Sequence, residues 1–313
     1  MGKIAFLFPG QGSQKVGMGS ELFEQNDAAQ SLLSKADDVL GFSLSTLMKE
    51  GPEEKLKQTA HAQPALVAMS AAVLELFRGS DIQADYVAGH SLGEYSALVA
   101  SEALSFEAAI ALVHKRGKLM EEAVPEGKGA MAAVLGLDQK ALEDVCRAVS
   151  QDGEVAELAN LNCPGQIVIS GTARGMEQAS IKAKEAGARR VMPLAVSGPF
   201  HSSLMKPASD KFETDLHNTQ ITMPMTPVVA NVTAEVVHAP EVIRALLAEQ
   251  IYSPVRFEES IRYMVDQGVD TFIEVGSGNV LTGLVKKIDR SLHAYSVQDQ
   301  ASFEQTVAAV KGE

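Results

Sequence analysis

The sequence has no tryptophan, only five tyrosines and two cysteines in 313 residues. Each shortage removes a class of function. With no indole and few phenol rings the chain has little on which to stack bases, which argues against a single-strand nucleic-acid platform. An excess of positive charge is missing too: 27 Lys and Arg against 40 Asp and Glu leave a formal net charge of −13. A chain of that sign is repelled by phosphate backbones and by anionic membrane surfaces. Cys146 and Cys163 stand in no C-x-x-C or Cys/His-rich spacing. They offer neither a zinc site nor a disulfide framework, and they suit a reducing compartment. No uninterrupted apolar run reaches the length of a bilayer crossing. The first run, residues 4–8, is too short for a signal peptide and is ended by Pro9. The expectation is a cytoplasmic protein with no nucleic-acid or membrane partner.

What is present reads as an α/β protein. IAFLF at 4–8 is apolar throughout, as in a strand buried on both faces of a parallel sheet, and the loop PGQGSQ follows it. A helix is predicted at 64–79, with Pro64 near its start and Gly79 at its end, and a strand at 85–89. Another helix runs from 105 to 125, opened by Ser105 and closed by Pro125. Residues 131–136, 155–162, 166–171 and 189–195 then read as strands, with helices at 138–150 and 173–187 between them. That β-α-β-β-α-β order is the ferredoxin-like unit. Glycine-containing linkers bound it, so a small subdomain at 126–199 is expected, inserted into a larger one made of 1–125 and 200–313. The larger unit resumes with a helical stretch, a strand at 225–232, a helix at 240–251 and a strand, glycine turn and helix over 269–288.

Chemistry concentrates at VAGHSLGEYSA, residues 87–97, where Ser91 is the only serine in a G-x-S-x-G pattern. An apolar run precedes the pattern and a helical one follows, as a nucleophile held on a sharp strand-to-helix turn requires. A helix-capping serine is the plainer alternative. Such a nucleophile needs a base, and seven histidines are available. Spacing does not choose among them, although His90 should point elsewhere on the turn and His201 follows a Gly-Pro turn near a subdomain junction. On the helix from 105, Ala109, Leu112, Val113, Leu119 and Met120 form an apolar stripe that contains Arg116, while His114, Lys115, Lys118 and Glu121 face away. A buried guanidinium is costly unless an anion meets it. An internal salt bridge, an arginine snorkelling past its neighbours and a fork for a substrate carboxylate all answer that cost, the first two more commonly. Neither PGQGSQ nor VGSG completes a dinucleotide fingerprint, and there is no phosphate-binding P-loop, which excludes NAD and ATP as expected cofactors. The amides of the first loop could still bind an oxyanion.

Taken together, FPGQGSQ at 8–14, TAHAQPAL at 59–66, GHSLGEYSA at 89–97, Arg116, NCPGQIVISG at 162–171, GPFHS at 198–202 and EQIYSPVRF at 249–257 resemble the malonyl-CoA:acyl carrier protein transacylases. That family is related to polyketide acyltransferase domains. The resemblance spans almost the whole chain in the family's order. It implies an α/β-hydrolase-like core with a ferredoxin-like insert, and malonyl transfer by a ping-pong route through a malonyl-serine. It implies Ser91 as nucleophile, His201 as base and the backbone carbonyl of Gln250 as the group orienting that base. The backbone N–H groups of Gln11 and Leu92 would form an oxyanion hole. Arg116 would hold the malonyl carboxylate, and Phe200, Met120 and Gln63 would line the acyl site. The implied partners are acyl carrier protein and a coenzyme A thioester, with no metal or bound cofactor and a monomeric state. Since carrier proteins are acidic, docking needs a local basic patch, for which Lys182, Lys184, Arg189, Arg190, Lys286 and Lys287 are candidates. A trans-acting polyketide-pathway acyltransferase, a serine esterase or thioesterase and a silent docking module are the competing readings.

Overall fold

The computed structural model describes residues 2–125 and 127–312. Glu126, the expected first residue of the small subdomain, lies outside the described residues, as do Met1 and Glu313 at the ends of the large one. The strands are β1 (Lys3–Phe8), β2 (Tyr86–Gly89), β3 (Gly129–Leu135), β4 (Ala156–Cys163), β5 (Gln166–Thr172), β6 (Arg190–Pro193), β7 (Val228–Val229), β8 (Val236–Val237), β9 (Val269–Val275) and β10 (His293–Val297). Four helices, α1 (Ser20–Gln25), α2 (Asp27–Leu40), α3 (Leu44–Glu50) and α4 (Glu53–Lys57), precede the long α5 (Thr59–Phe77). After β2 come α6 (Gly93–Ala100) and α7 (Phe106–Glu122), and α8 (Gln139–Gln151) and α9 (Ala173–Glu185) flank the β4–β5 pair in sequence. The remainder are α10 (Lys206–Asn218), α11 (Pro240–Gln250), α12 (Phe257–Asp266), α13 (Val280–Ile288) and α14 (Gln300–Lys311).

The large sheet has the order β10-β9-β1-β2-β7-β8, parallel throughout except for the β7–β8 hairpin. Its central strand β1 sends Ile4, Phe6 and Phe8 into one core cluster and Ala5 and Leu7 into another. Burial on both faces is why this strand carries no polar alternation. Phe8 pairs with Gly89, so the loop after β1 and the turn after β2 leave the sheet side by side. Ligands gather at such carboxyl ends of parallel strands.

The small sheet, order β4-β5-β3-β6, is antiparallel. Here the period of two is visible. Ala132, Val134, Ile167 and Ile169 pack with Leu142, Val149, Met176 and Ala179 of α8 and α9, while Met131, Ala133 and Val168 join the main core.

Four features depart from the sequence reading. Helix α5 begins at Thr59, so Pro64 lies inside it rather than near its start. Proline has no N–H for the carbonyl of Ala60 one turn back, and His114 Nδ1 donates to that carbonyl at 2.7 Å instead. His114 therefore turns toward α5 rather than solvent, and Glu121 does likewise, accepting from Thr59 N at 2.6 Å. The same α5 is long and apolar enough by composition to cross a membrane, yet it is mostly buried as a core helix. The strand expected at 225–232 shrinks to Val228–Val229, because Pro224 and Pro227 remove ladder donors and the chain turns back at Ala234. Beyond the elements placed from sequence the structure adds α1 to α4, β8, α12, β10 and α14.

Candidate active site

The turn between β2 and α6 puts Ser91 at φ 53°. A serine held in the left-handed region is strained, and its neighbours show what enforces it. A Cβ on Gly89 would lie 1.9 Å from the Gly93 carbonyl carbon, and one on Gly93 would lie 2.1 Å from Phe8 O. Only glycine lets the turn close this tightly. Asn231 clamps both sides of the turn, accepting from Ser91 N at 2.7 Å and donating from Nδ2 to Gly89 O at 2.7 Å.

Ser91 Oγ lies 2.9 Å from His201 Nε2, and His201 Nδ1 lies 2.8 Å from the carbonyl of Gln250. A carbonyl only accepts, so Nδ1 carries the proton and Nε2 is left free to accept one from the serine. Burial, then the positive charge of Arg116, depress the His201 pKa to about 3. The imidazole is therefore neutral at physiological pH. His201 itself sits at φ 59°, so both partners occupy strained backbone.

Arg116 is 1% exposed. Its Nη1 donates to Gln63 Oε1 at 2.9 Å, and its Nη2 to Gln250 Oε1 at 2.9 Å and to Ser91 Oγ at 3.0 Å. The guanidinium also stands 5.7 Å from the centre of the Tyr95 ring. Among the described residues no carboxylate forms a salt bridge with Arg116, so the internal ion pair is not how its charge is met. Its hydrogen-bond partners are neutral.

Around this cluster, Met120 Sδ contacts Gln63 Nε2 at 3.8 Å, and the buried Phe200 ring lies beside Gly198. Gln11 Nε2 donates to Thr59 Oγ1 at 3.2 Å. The backbone N–H groups of Gln11 and Leu92 have no acceptor among the described residues. The loop carrying the first abuts the turn carrying the second: a Cβ on Gly10 would be 2.7 Å from His90 O. His90 points away from the serine, its Nε2 lying 2.8 Å from Asn162 Oδ1. Of the basic candidates, Lys182 lies 3.7 Å from Asp152 and Lys287 donates to Gln166 at 2.9 Å.

Sequence reasoning missed three contributors: Asn231, Glu94 and the side chain of Gln250. Gln250 Nε2 donates to Glu94 Oε2 at 2.6 Å and to Ser91 O at 3.0 Å. Burial raises the Glu94 pKa to about 7. Glu94 had a legible signal, a carboxylate one turn after Ser91 in the otherwise weakly polar GEYSALVA. Asn231 had none, since the turn it clamps and the Glu94 carboxylate that accepts from its N–H lie 137 and more residues away.

A serine hydroxyl on a neutral base, with a buried cation beside it, suits capture of an acyl group that carries its own negative charge. Fold and cluster together define the class, an α/β enzyme of acyl transfer. Comparison with known proteins agrees. The acyl transferase domain profile matches residues 5–308. The malonyl CoA-acyl carrier protein transacylase of Bacillus subtilis (strain 168) is 56% identical over 313 residues, covering 100% of this chain and 99% of that one. The structure of an acyl carrier protein S-malonyltransferase from Vibrio cholerae superposes with TM-score 0.95 at 44% identity, over 97% of this chain and 99% of the other. A malonyl-transacylase solved in complex with a type II polyketide acyl-carrier protein matches at TM-score 0.95 and 43% identity, over 99% and 100% of the two chains. This chain belongs to the acyl transferase family.

Proposed function

We propose that the chain moves malonyl from coenzyme A to the phosphopantetheine thiol of acyl carrier protein, by a ping-pong route through a malonyl ester on Ser91. The observation that carries this reading is the shared hydroxyl: Ser91 Oγ is hydrogen-bonded to both His201 Nε2 and Arg116 Nη2. Ser91 attacks the thioester carbonyl while Nε2 takes its proton. The developing oxyanion is met by the free N–H groups of Gln11 and Leu92, and each such donor is worth about 10²–10³ in rate. Coenzyme A leaves as the thiol, taking the proton back from Nε2. The carrier thiol then attacks the ester, with His201 as base again, and Ser91 regains its proton. Arg116 turns from Ser91 to the malonyl carboxylate while keeping Gln250, and Phe200, Met120 and Gln63 bound the acyl site.

The same reading takes the large sheet as α/β-hydrolase-like, supported by the strand, serine turn and helix at its carboxyl edge. It takes 126–199 as a ferredoxin-like subdomain within 1–125 and 200–313, supported by the β4-β5-β3-β6 order. It requires no metal or bound cofactor and puts a monomer in the cytoplasm. A polyketide carrier as acceptor is the second reading, favoured by the relative that is solved with one.

Intact mass after mixing with malonyl-CoA tests the proposal. Wild type should gain one malonyl group and Ser91→Ala none, with transfer lowered on the order of 10⁴-fold or more. Equal labelling of both proteins would refute a Ser91 ester.

A further inference from the structure

Glu94 is the buried carboxylate of the cluster, and the reaction above leaves it unused. It is 3% exposed and sits in the first turn of α6. Its Oε2 accepts from Gln250 Nε2 at 2.6 Å and from Asn231 N at 3.1 Å. Gln250 Oε1, at the other end of the same amide, accepts from Arg116 Nη2 at 2.9 Å. The order is thus carboxylate, amide, guanidinium, with the amide's positive end on the anion and its negative end on the cation. Each hydrogen bond polarises the next in such a chain.

We propose that Glu94 is the counter-charge of Arg116, held one amide away so that it orients the guanidinium without filling its fork, and that its charge sets how tightly the acidic acyl group is gripped. The inference rests on the reading of Arg116 as partner of the malonyl carboxylate. Direct contact between Glu94 and Arg116 would make a bidentate pair and commit a two-donor edge of the guanidinium that a substrate carboxylate could otherwise take. No counter-charge at all would leave a bare cation in the core. The intervening Gln250 amide avoids both.

A substrate carboxylate brings a second anion to Arg116, so the charge on Glu94 opposes it and a proton on Glu94 removes the opposition. Burial holds the Glu94 pKa at about 7, so both forms exist near neutrality. Arg116 faces Glu94 from α7 and Tyr95 lies next to it on α6; Gln250 from α11 and Asn231 from the loop after β7 are uncharged. Among the described residues no ionisable side chain from β1, β2 or α5 bears on it. Tyr95 is pushed far above neutrality and His201 down to about 3, so neither changes charge near pH 7. By linkage, whatever factor a proton on Glu94 adds to malonyl affinity, malonyl adds to the proton affinity of Glu94.

The test compares kcat/KM for malonyl-CoA and acetyl-CoA across neutrality, in wild type and Glu94→Gln, after the malonyl adduct on wild type has been confirmed by mass. For wild type, malonyl kcat/KM should fall about five- to tenfold from roughly pH 6 to roughly pH 8 while acetyl transfer stays level. Glu94→Gln, which keeps the acceptor for Gln250 but not the charge, should stay at the acid-side value throughout. Parallel pH profiles in the two proteins overturn the proposal, and so does a Glu94→Gln enzyme uniformly slower with both substrates, the mark of a merely structural residue. Should that variant fail to fold, proton uptake by wild type decides: uptake with malonyl-CoA in excess of that with acetyl-CoA supports the proposal, and equal uptake overturns it. A missing malonyl adduct would instead indict the reading on which it rests.

Discussion

The surroundings of Ser91 and the interior of the small sheet are both buried, yet they are made of opposite materials. Between β3, β4, β5 and the helices α8 and α9 the filling is aliphatic: Val134, Leu142, Val149, Ile167, Ile169 and Ala179. Around Ser91 the buried polar side chains include Gln63, Glu94, Arg116, His201, Asn231 and Gln250. Apolar filling stabilises in rough proportion to area, and no single member decides the outcome. Buried polar groups cost free energy unless each finds a partner. Here most of the partners are one another, with Arg116 Nε left over, so removing one side chain leaves its neighbours unpaired. The first region is built to be stable and the second to be specific.

The sharpest way to break that contrast is to remove Arg116. Arg116→Ala should lower kcat/KM for malonyl transfer by about 10²–10³-fold, since a charge-assisted fork on a buried carboxylate is lost. It also leaves the Oε1 atoms of Gln63 and Gln250 without their donor. Transfer of an uncharged acyl group should fall far less. Steady-state kinetics with malonyl-CoA and acetyl-CoA check this, and equal losses with both would make Arg116 a structural cation.

In the small sheet the expected effect is the reverse. Ile169 is fully buried on the central strand β5, and Ile169→Ala should cost about 2–5 kcal/mol of stability through lost packing and a residual cavity. Activity of the folded fraction should stay within about twofold, because none of the site's hydrogen bonds pass through this side chain. Denaturant unfolding and assay at low temperature separate the two. A large loss of kcat at full folding would show that the small sheet does more than support.

The two regions also differed in how far the sequence revealed them. The small sheet was legible almost to its boundaries, because short apolar runs, intervening helical stretches and glycine-containing linkers are local signals. Ser91 was legible for the same reason: its glycines, strand and helix are neighbours in sequence. Arg116 was half legible. Its place on an apolar stripe exposed a buried charge, but its partners are neutral, two of them amides 53 and 134 residues away and the third the Ser91 hydroxyl 25 residues away. His201 could not be told from six other histidines by spacing, and only the resemblance singled it out. Asn231 left no local trace, since long-range hydrogen bonds have no sequence period. The two-residue β7 was over-read because valines next to proline look like a strand although the ladder donors are gone.

The smallest effect concerns Pro64 and His114, a local conflict resolved across two helices. Pro64 interrupts α5 directly after Gln63, which accepts from Arg116, and little more than a turn after Thr59, which accepts from Gln11. The carbonyl it deprives, on Ala60, is supplied by His114 Nδ1. His114→Ala should therefore cost about 1–2 kcal/mol, the usual penalty of an unpaired carbonyl that water reaches poorly. Pro64→Ala restores the missing N–H, so in that background the same histidine change should cost under about 0.5 kcal/mol. Urea unfolding of the two single variants and the double variant closes the cycle. If His114→Ala costs the same in both backgrounds, its contribution comes from the nearby Phe42 ring, 5.5 Å away, and not from the carbonyl. A coupling that appears only with proline present would show that the helix bearing Gln63 is held in register from α7, the same helix that carries Arg116.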